Sequence, residues 1–101
     1  MLDLITRYYK ARKLRWPNVW QAMGWVNTEL AEVYELLLAR DGDWVRNNPD
    51  DHGEWDKDKF AEELGDCMFM LAVAGMVEGV DPIEALIAKV ERKLKELEDD
   101  R

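Results

Sequence analysis

The stretch FAEELGDCMFMLAVAG, residues 60–75, has the composition of a helix buried in a core, yet Glu63 and Asp66 stand three residues apart inside it. Each helical residue turns by about 100°, so Phe60, Cys67, Met70, Leu71 and Ala74 gather within roughly 80° of Glu63. Glu63 therefore lies inside the apolar arc, and Asp66 borders it. The stretch ELAEVYELL at 29–37 repeats the pattern of ELGDCMFML at 63–71, at an offset of 34 residues. There Glu29 lies among Leu30, Val33, Leu36 and Leu37, and Glu32 sits on the edge of the arc. Two facing helices follow, each aiming two carboxylates at the interior. Glu35 and Glu62 fall farther round, toward solvent or a supporting position.

The rest of the chain frames these two helices. Residues 2–15 read as a first helix with Leu2, Ile5 and Tyr8 or Tyr9 on one face, ended by Pro17. Asn18 and Gln21 have the spacing of a capping box and open a second helix over about 19–40, with Gly24 inside it. RDGDWVRNNPDDHGEW at 40–55 is dense in Gly, Asn, Asp and Pro and reads as a long loop. Asp56 or Asp58 caps a third helix over about 57–79, which Gly79 ends. In DPIE, Asp81 is an N-cap, Pro82 takes the first helical position and Glu84 the third. The fourth helix runs to about residue 98 through Ile83, Leu86, Ile87, Val90, Leu94 and Leu97, at spacings of three and four. No segment alternates like a strand. The fold class is all-α: one domain over residues 1–101, a small antiparallel bundle of about four helices. A chain this short buries a limited share of its surface, so oligomerisation is expected to complete it.

Composition narrows the function. The chain has 22 acidic and 14 basic residues and a formal net charge of −8. That charge opposes binding to a nucleic-acid backbone and suits a protein that collects divalent cations. The single cysteine, Cys67, allows no internal disulfide. The start of the chain lacks the apolar core of a signal peptide, and no apolar run reaches the roughly 18 residues of a spanning helix. A cytoplasmic protein with no membrane partner is expected.

Four carboxylates turned inward need compensation, because an unpaired buried charge costs several kcal/mol even after relaxation, and crowded carboxylates raise one another's pKa. Basic partners, bound protons or metal ions would each serve. A single acid pair on a helix is ordinarily solvated, but two pairs that both intrude on apolar arcs favour a metal. An all-oxygen donor set suits a hard cation, Mg²⁺ or Mn²⁺. A di-iron bundle would want Glu-x-x-His on its helices, and the one histidine, His52, lies in the loop.

Glu29-x-x-Glu32 followed by Glu63-x-x-Asp66 resembles the ExxE…ExxD signature of the MazG-like all-α nucleoside triphosphate pyrophosphohydrolases. ELAEVYELL and FAEELGDCMFML are similar to that family's two metal-binding helices, GVDPIEAL to its turn into the last helix, and KVERKL to its basic stretch. The resemblance covers roughly residues 26–95. It implies hydrolysis of the α–β linkage of a nucleotide to a monophosphate and pyrophosphate, by a helical homodimer or homotetramer. It also implies that Glu29, Glu32, Glu63 and Asp66 hold Mg²⁺. Glu32 or Glu35, if not fully engaged by metal, can accept the proton of the attacking water. Three features depart from the family pattern. The gap between motifs is 30 residues, Thr28 stands where an acid often precedes the first motif, and Ala74 and Gly75 occupy the region of a frequent asparagine.

Lys89, Arg92 and Lys93 fall in the stretch that resembles the family's basic, phosphate-binding segment; a solvated helix face is the plainer alternative. Lys57 and Lys59, one turn before Glu63, are weaker candidates for the same role. The five tryptophans are Trp16, Trp20, Trp25, Trp44 and Trp55. Most are expected to fill core or interface, and one, Trp25 first, to stack on a base. Arg7, Lys10, Arg12, Lys13 and Arg15 read as a charged helix face, with contact to a triphosphate across a subunit boundary as the alternative. His52 reads as a loop residue and Cys67 as a small buried thiol. Three functions are therefore carried forward. The first is an Mg²⁺-dependent nucleotide pyrophosphohydrolase that removes unwanted nucleotides. The second is a dedicated relative acting on dUTP, dCTP or phosphoribosyl-ATP. The third, of another class, is a non-catalytic helical interaction module whose acids form salt bridges.

Overall fold

The computed structural model describes residues 2–41 and 56–100. These residues form four α-helices and no strand: α1 (Leu2–Ala11), α2 (Val19–Asp41), α3 (Lys57–Val77) and α4 (Pro82–Asp99). The expected long loop, with Trp44, His52 and Trp55, falls almost wholly outside the described residues.

Local chemistry sets the helix ends. Asn18 accepts from the Gln21 amide at 2.8 Å while the Gln21 side chain accepts from the Asn18 amide at 3.1 Å, a reciprocal box that satisfies two free donors. Asp56 caps α3 by accepting from the Lys59 amide at 3.0 Å. Asp81 accepts from the amides of Ile83 and Glu84 ahead of Pro82, as its sequence predicts. Past α3, Gly79 takes φ +73, and the amides of Gly79 and Val80 donate back to the carbonyls of Met76 and Gly75. This paired closure consumes carbonyls left over at the helix end.

The first helix is shorter than its sequence predicts. It stops at Ala11 rather than near residue 15, because Lys13 turns into the left-handed region at φ 53. The amides of Lys13 and Leu14 then donate to the carbonyls of Lys10 and Tyr9, the same closure that ends α3. With lysine instead of glycine at the turning position, no local signal marked the stop.

The core is small and centred on α3. Ile5 and Tyr9 of α1 and Ala22 of α2 pack with Ala72, Val73 and Ala74. Tyr9, not Tyr8, is the buried tyrosine of α1. Its ring stacks on Trp16 with centroids 4.2 Å apart and planes 10° apart, so the segment after α1 folds back over that helix. Phe69 meets both tyrosine rings. The most extensive helix contact is between α2 and α3. No residue of α4 is buried, so its apolar stripe is left uncovered by the other described residues.

Candidate metal centre

The paired helices bring three of the four predicted carboxylates together. Glu29, Glu32 and Glu63 each present an oxygen, and these oxygens lie within 4.8 Å of one another. Glu29 and Glu63 are half-buried, and Glu32 opens to solvent. This is what the sequence geometry requires: the first acid of each motif points between the helices, and the second sits at the rim. Asp66 is exposed and lies outside the three-way convergence, although its charge acts on Glu29 and Glu63. Glu35 is exposed on α2.

The electrostatics of the cluster are those of crowded acids. Glu63 has its carboxyl pushed above the ordinary value, first by sharing a proton with Glu32, then by burial and by the charges of Glu32, Asp66 and Glu29. Glu29 is raised chiefly by burial and next by Glu32 and Asp66. The Cys67 thiol beside them is raised by burial and by all four carboxylates, which keeps it protonated and unreactive. Among the described residues, no ion pair engages the cluster; the pair they form is Arg40 with Asp41, at the far end of α2. The Glu63 Oε2 atom is buried and has no hydrogen-bond partner. An orphaned buried oxygen is costly, and an ionised neighbour cannot donate to it. A divalent cation satisfies that oxygen and the negative charge at once, and the all-carboxylate donor set is of the hard type. The residues present therefore fit a hard divalent metal.

The pH response of the metal-free protein follows. Glu29 and Glu63 hold protons more tightly folded than unfolded. Their contribution to stability is therefore present below the ordinary glutamate value and lost as pH rises through the raised values. The chelator-treated protein should gain thermal stability as the pH falls from neutral toward the ordinary glutamate value. Stabilisation by added Mg²⁺ should shrink over the same range, because protons compete for the ligands. Thermal scans with and without the ion test this; an Mg²⁺ shift that grows on acidification would remove the carboxylates as its source.

The other candidates lie outside the three-way convergence. Trp25 lies one turn before Glu29 on α2, about half exposed. Lys89, Arg92 and Lys93 are exposed on α4, and none is among the groups that shift Glu29 or Glu63. Lys57 and Lys59 are exposed in the first turn of α3. Trp16 serves the core through Tyr9, while Trp20 is 85% exposed. Gly75, which carried no special signal in the sequence, is what allows α3 and α4 to meet: a Cβ there would stand 2.7 Å from the Val80 carbonyl oxygen and 2.8 Å from the Pro82 ring.

A family model for phosphoribosyl-ATP pyrophosphohydrolase matches residues 6–94, which takes in α2 and α3 whole, parts of α1 and α4, and the whole acidic quartet. No curated protein and no solved structure matches the chain. With that match spanning most of its length, the chain belongs to the phosphoribosyl-ATP pyrophosphohydrolase family, within the MazG-like all-α superfamily of nucleoside triphosphate pyrophosphohydrolases.

Proposed function

We propose that the chain is an Mg²⁺-dependent nucleotide pyrophosphohydrolase that cleaves the α–β linkage of a triphosphate, leaving a monophosphate and releasing pyrophosphate. The observation that carries this reading is the convergence of Glu29, Glu32 and Glu63 around an oxygen with no donor. Mn²⁺ suits the same donor set. When bound, the cation supplies charge neutralisation at the phosphates and acidifies the attacking water. The chain's own residues do the rest. Glu29, Glu32 and Glu63 fix the position of the ion, with Asp66 extending the acidic rim. Glu32 or Glu35 takes the proton of the water whose oxygen forms the new bond to phosphorus, as the bridging oxygen leaves with the pyrophosphate. Lys89, Arg92 and Lys93 are assigned to phosphate contact and Trp25 to the base. The protein works in the cytoplasm as a homodimer or homotetramer.

Two substrate classes share this bond. The family description favours phosphoribosyl-ATP; ordinary or non-standard nucleoside triphosphates, dUTP and dCTP among them, are the alternative, with nucleotide-pool cleansing as the role. An interaction module without catalysis would need cations against the quartet, and among the described residues none pairs with it.

Incubation of the protein with Mg²⁺ and a panel of phosphoribosyl-ATP and (deoxy)nucleoside triphosphates should release pyrophosphate. A strong preference for phosphoribosyl-ATP supports the first substrate, and preference for a nucleoside triphosphate supports the second. Failure with every substrate, together with no thermal shift from Mg²⁺ or Mn²⁺, sinks the hydrolase.

A further inference from the structure

The cations at the start of the chain have no part in the chemistry proposed above. Residues 1–20 carry five basic side chains and one acidic one, while the other residues carry nine basic and 21 acidic. Arg7, Lys10, Arg12, Lys13 and Arg15 are all exposed, and none is paired with a carboxylate among the described residues. Three of them crowd the elbow between α1 and α2. There Lys13 stands at φ 53, a conformation that glycine adopts freely and a residue with a Cβ adopts at a cost. A charge is thus kept where the backbone favours glycine. Exposed apolar groups sit among these cations: Leu14 between Lys13 and Arg15, Trp16 with its ring stacked on Tyr9, and Trp20 in the first turn of α2. Beside them Trp16 and Pro17 form, with Met76 and Val77, an open hollow of about 410 Å³.

We infer that this elbow docks the protein on a bilayer surface that carries anionic phospholipid. The cations take the headgroup phosphates, and Leu14, Trp16 and Trp20 enter the level where amphipathic rings settle at a membrane interface. The hollow selects lipid over a single-stranded nucleic acid, the other polyanion that cations and exposed indoles suit. Its side chains offer no hydrogen-bond partner except the Trp16 indole N–H. A base entering it would leave polar edge atoms unmatched, whereas an acyl segment has none. The acidic remainder of the chain does not cancel the attraction, since fields between exposed charges fade over about 8 Å at physiological salt. Glu29 stands ten residues along α2 from Val19, about 15 Å on a helix. The acid-rich end of α4, from Glu91 onward, begins about 13 Å beyond Pro82. In the turn after α3, the Asp81 carboxylate is held by the amides of Ile83 and Glu84, and Glu78 alone leaves the balance of the elbow positive. Docking of this kind departs from the expectation of no membrane partner without requiring a spanning helix, and no described helix is long and apolar enough to be one. It is independent of the hydrolase reading.

Flotation of the full chain with vesicles is the test. The wild type should rise with vesicles of phosphatidylcholine containing phosphatidylglycerol and stay behind with phosphatidylcholine alone. Salt at about 1 M, where the screening length falls to about 3 Å, should release it. Arg12→Gln with Lys13→Gln and Arg15→Gln should weaken binding on the order of 100-fold, about fivefold per cation, with helical circular dichroism and pyrophosphate release unchanged. Lys13→Gly should weaken it about fivefold while raising the melting temperature, which separates the charge from the fold. Should the triple variant fail to fold, Lys13→Gly and the salt series decide. Equal recovery on neutral and anionic vesicles, a triple variant that floats like the wild type, or an oligothymidylate strand bound when vesicles are not, overturns the docking surface. Loss of pyrophosphate release by the folded triple variant without vesicles gives the cations to the substrate and overturns it as well. A wild type that floats but hydrolyses no nucleotide overturns the hydrolase alone.

Discussion

Glu63→Gln is expected to lower pyrophosphate release by at least about 100-fold, the upper end of what losing a residue that merely supports a metal's ligands costs. The same change should raise the melting temperature of the chelator-treated protein by a few degrees. Both effects come from one position. Glu63 holds its carboxyl against Glu32, Glu29 and Asp66 with Oε2 unsatisfied, so its charge opposes folding when no cation is bound. Glutamine keeps the shape, removes the charge and offers an N–H to Glu32. Stability and activity should therefore move in opposite directions, a signature of a group retained for binding rather than for the fold. Calorimetry with chelator and a coupled pyrophosphate assay read the two quantities. Retained turnover removes Glu63 from the site, and a melting temperature several degrees lower makes its role structural.

Gly75→Ala is expected to destabilise the protein by about 2 kcal/mol, within the range for forcing a methyl into a packed site, and so to lower its melting temperature by roughly 10 °C. The new Cβ would press on the Val80 carbonyl oxygen at 2.7 Å and on the Pro82 ring at 2.8 and 3.0 Å. None of these is the free end of a flexible side chain. Relief requires the elbow between α3 and α4 to open, which strains the 2.8 Å bond from the Val80 amide to the Gly75 carbonyl and re-aims α4. A melting temperature within about 2 °C of the wild type, where surface substitutions fall, would show that the elbow yields at little cost.

Helix ends written in side chains were legible in the sequence. Asn18 with Gln21, Asp56, and Asp81 with Pro82 each act within three residues, and each does in the structure what local chemistry requires. The acid pairs were legible for the same reason, since a spacing of three and an apolar arc fix direction on a helix. Lys13 was not, because a left-handed turn without glycine leaves no mark. The stripe on α4 shows a different limit. Its period establishes a helix with an apolar side, but a period does not say whether the cover comes from the same chain. Likewise the arcs placed Asp66 and Glu32 alike at the rim, whereas only Glu32 converges with Glu29 and Glu63, a difference set by how the two helices lie against each other.

The convergence of those three carboxylates also bears on chain entropy. Glu32 and Glu63 are separated by 30 residues, so a cation held by both motifs ties off a loop of that length without a covalent bond. For a permanent cross-link closing such a loop, the restriction of the unfolded chain is worth about 3–4 kcal/mol. A metal provides that restraint only while it stays bound. Once the ion leaves, α2 and α3 are held to each other by their packing alone.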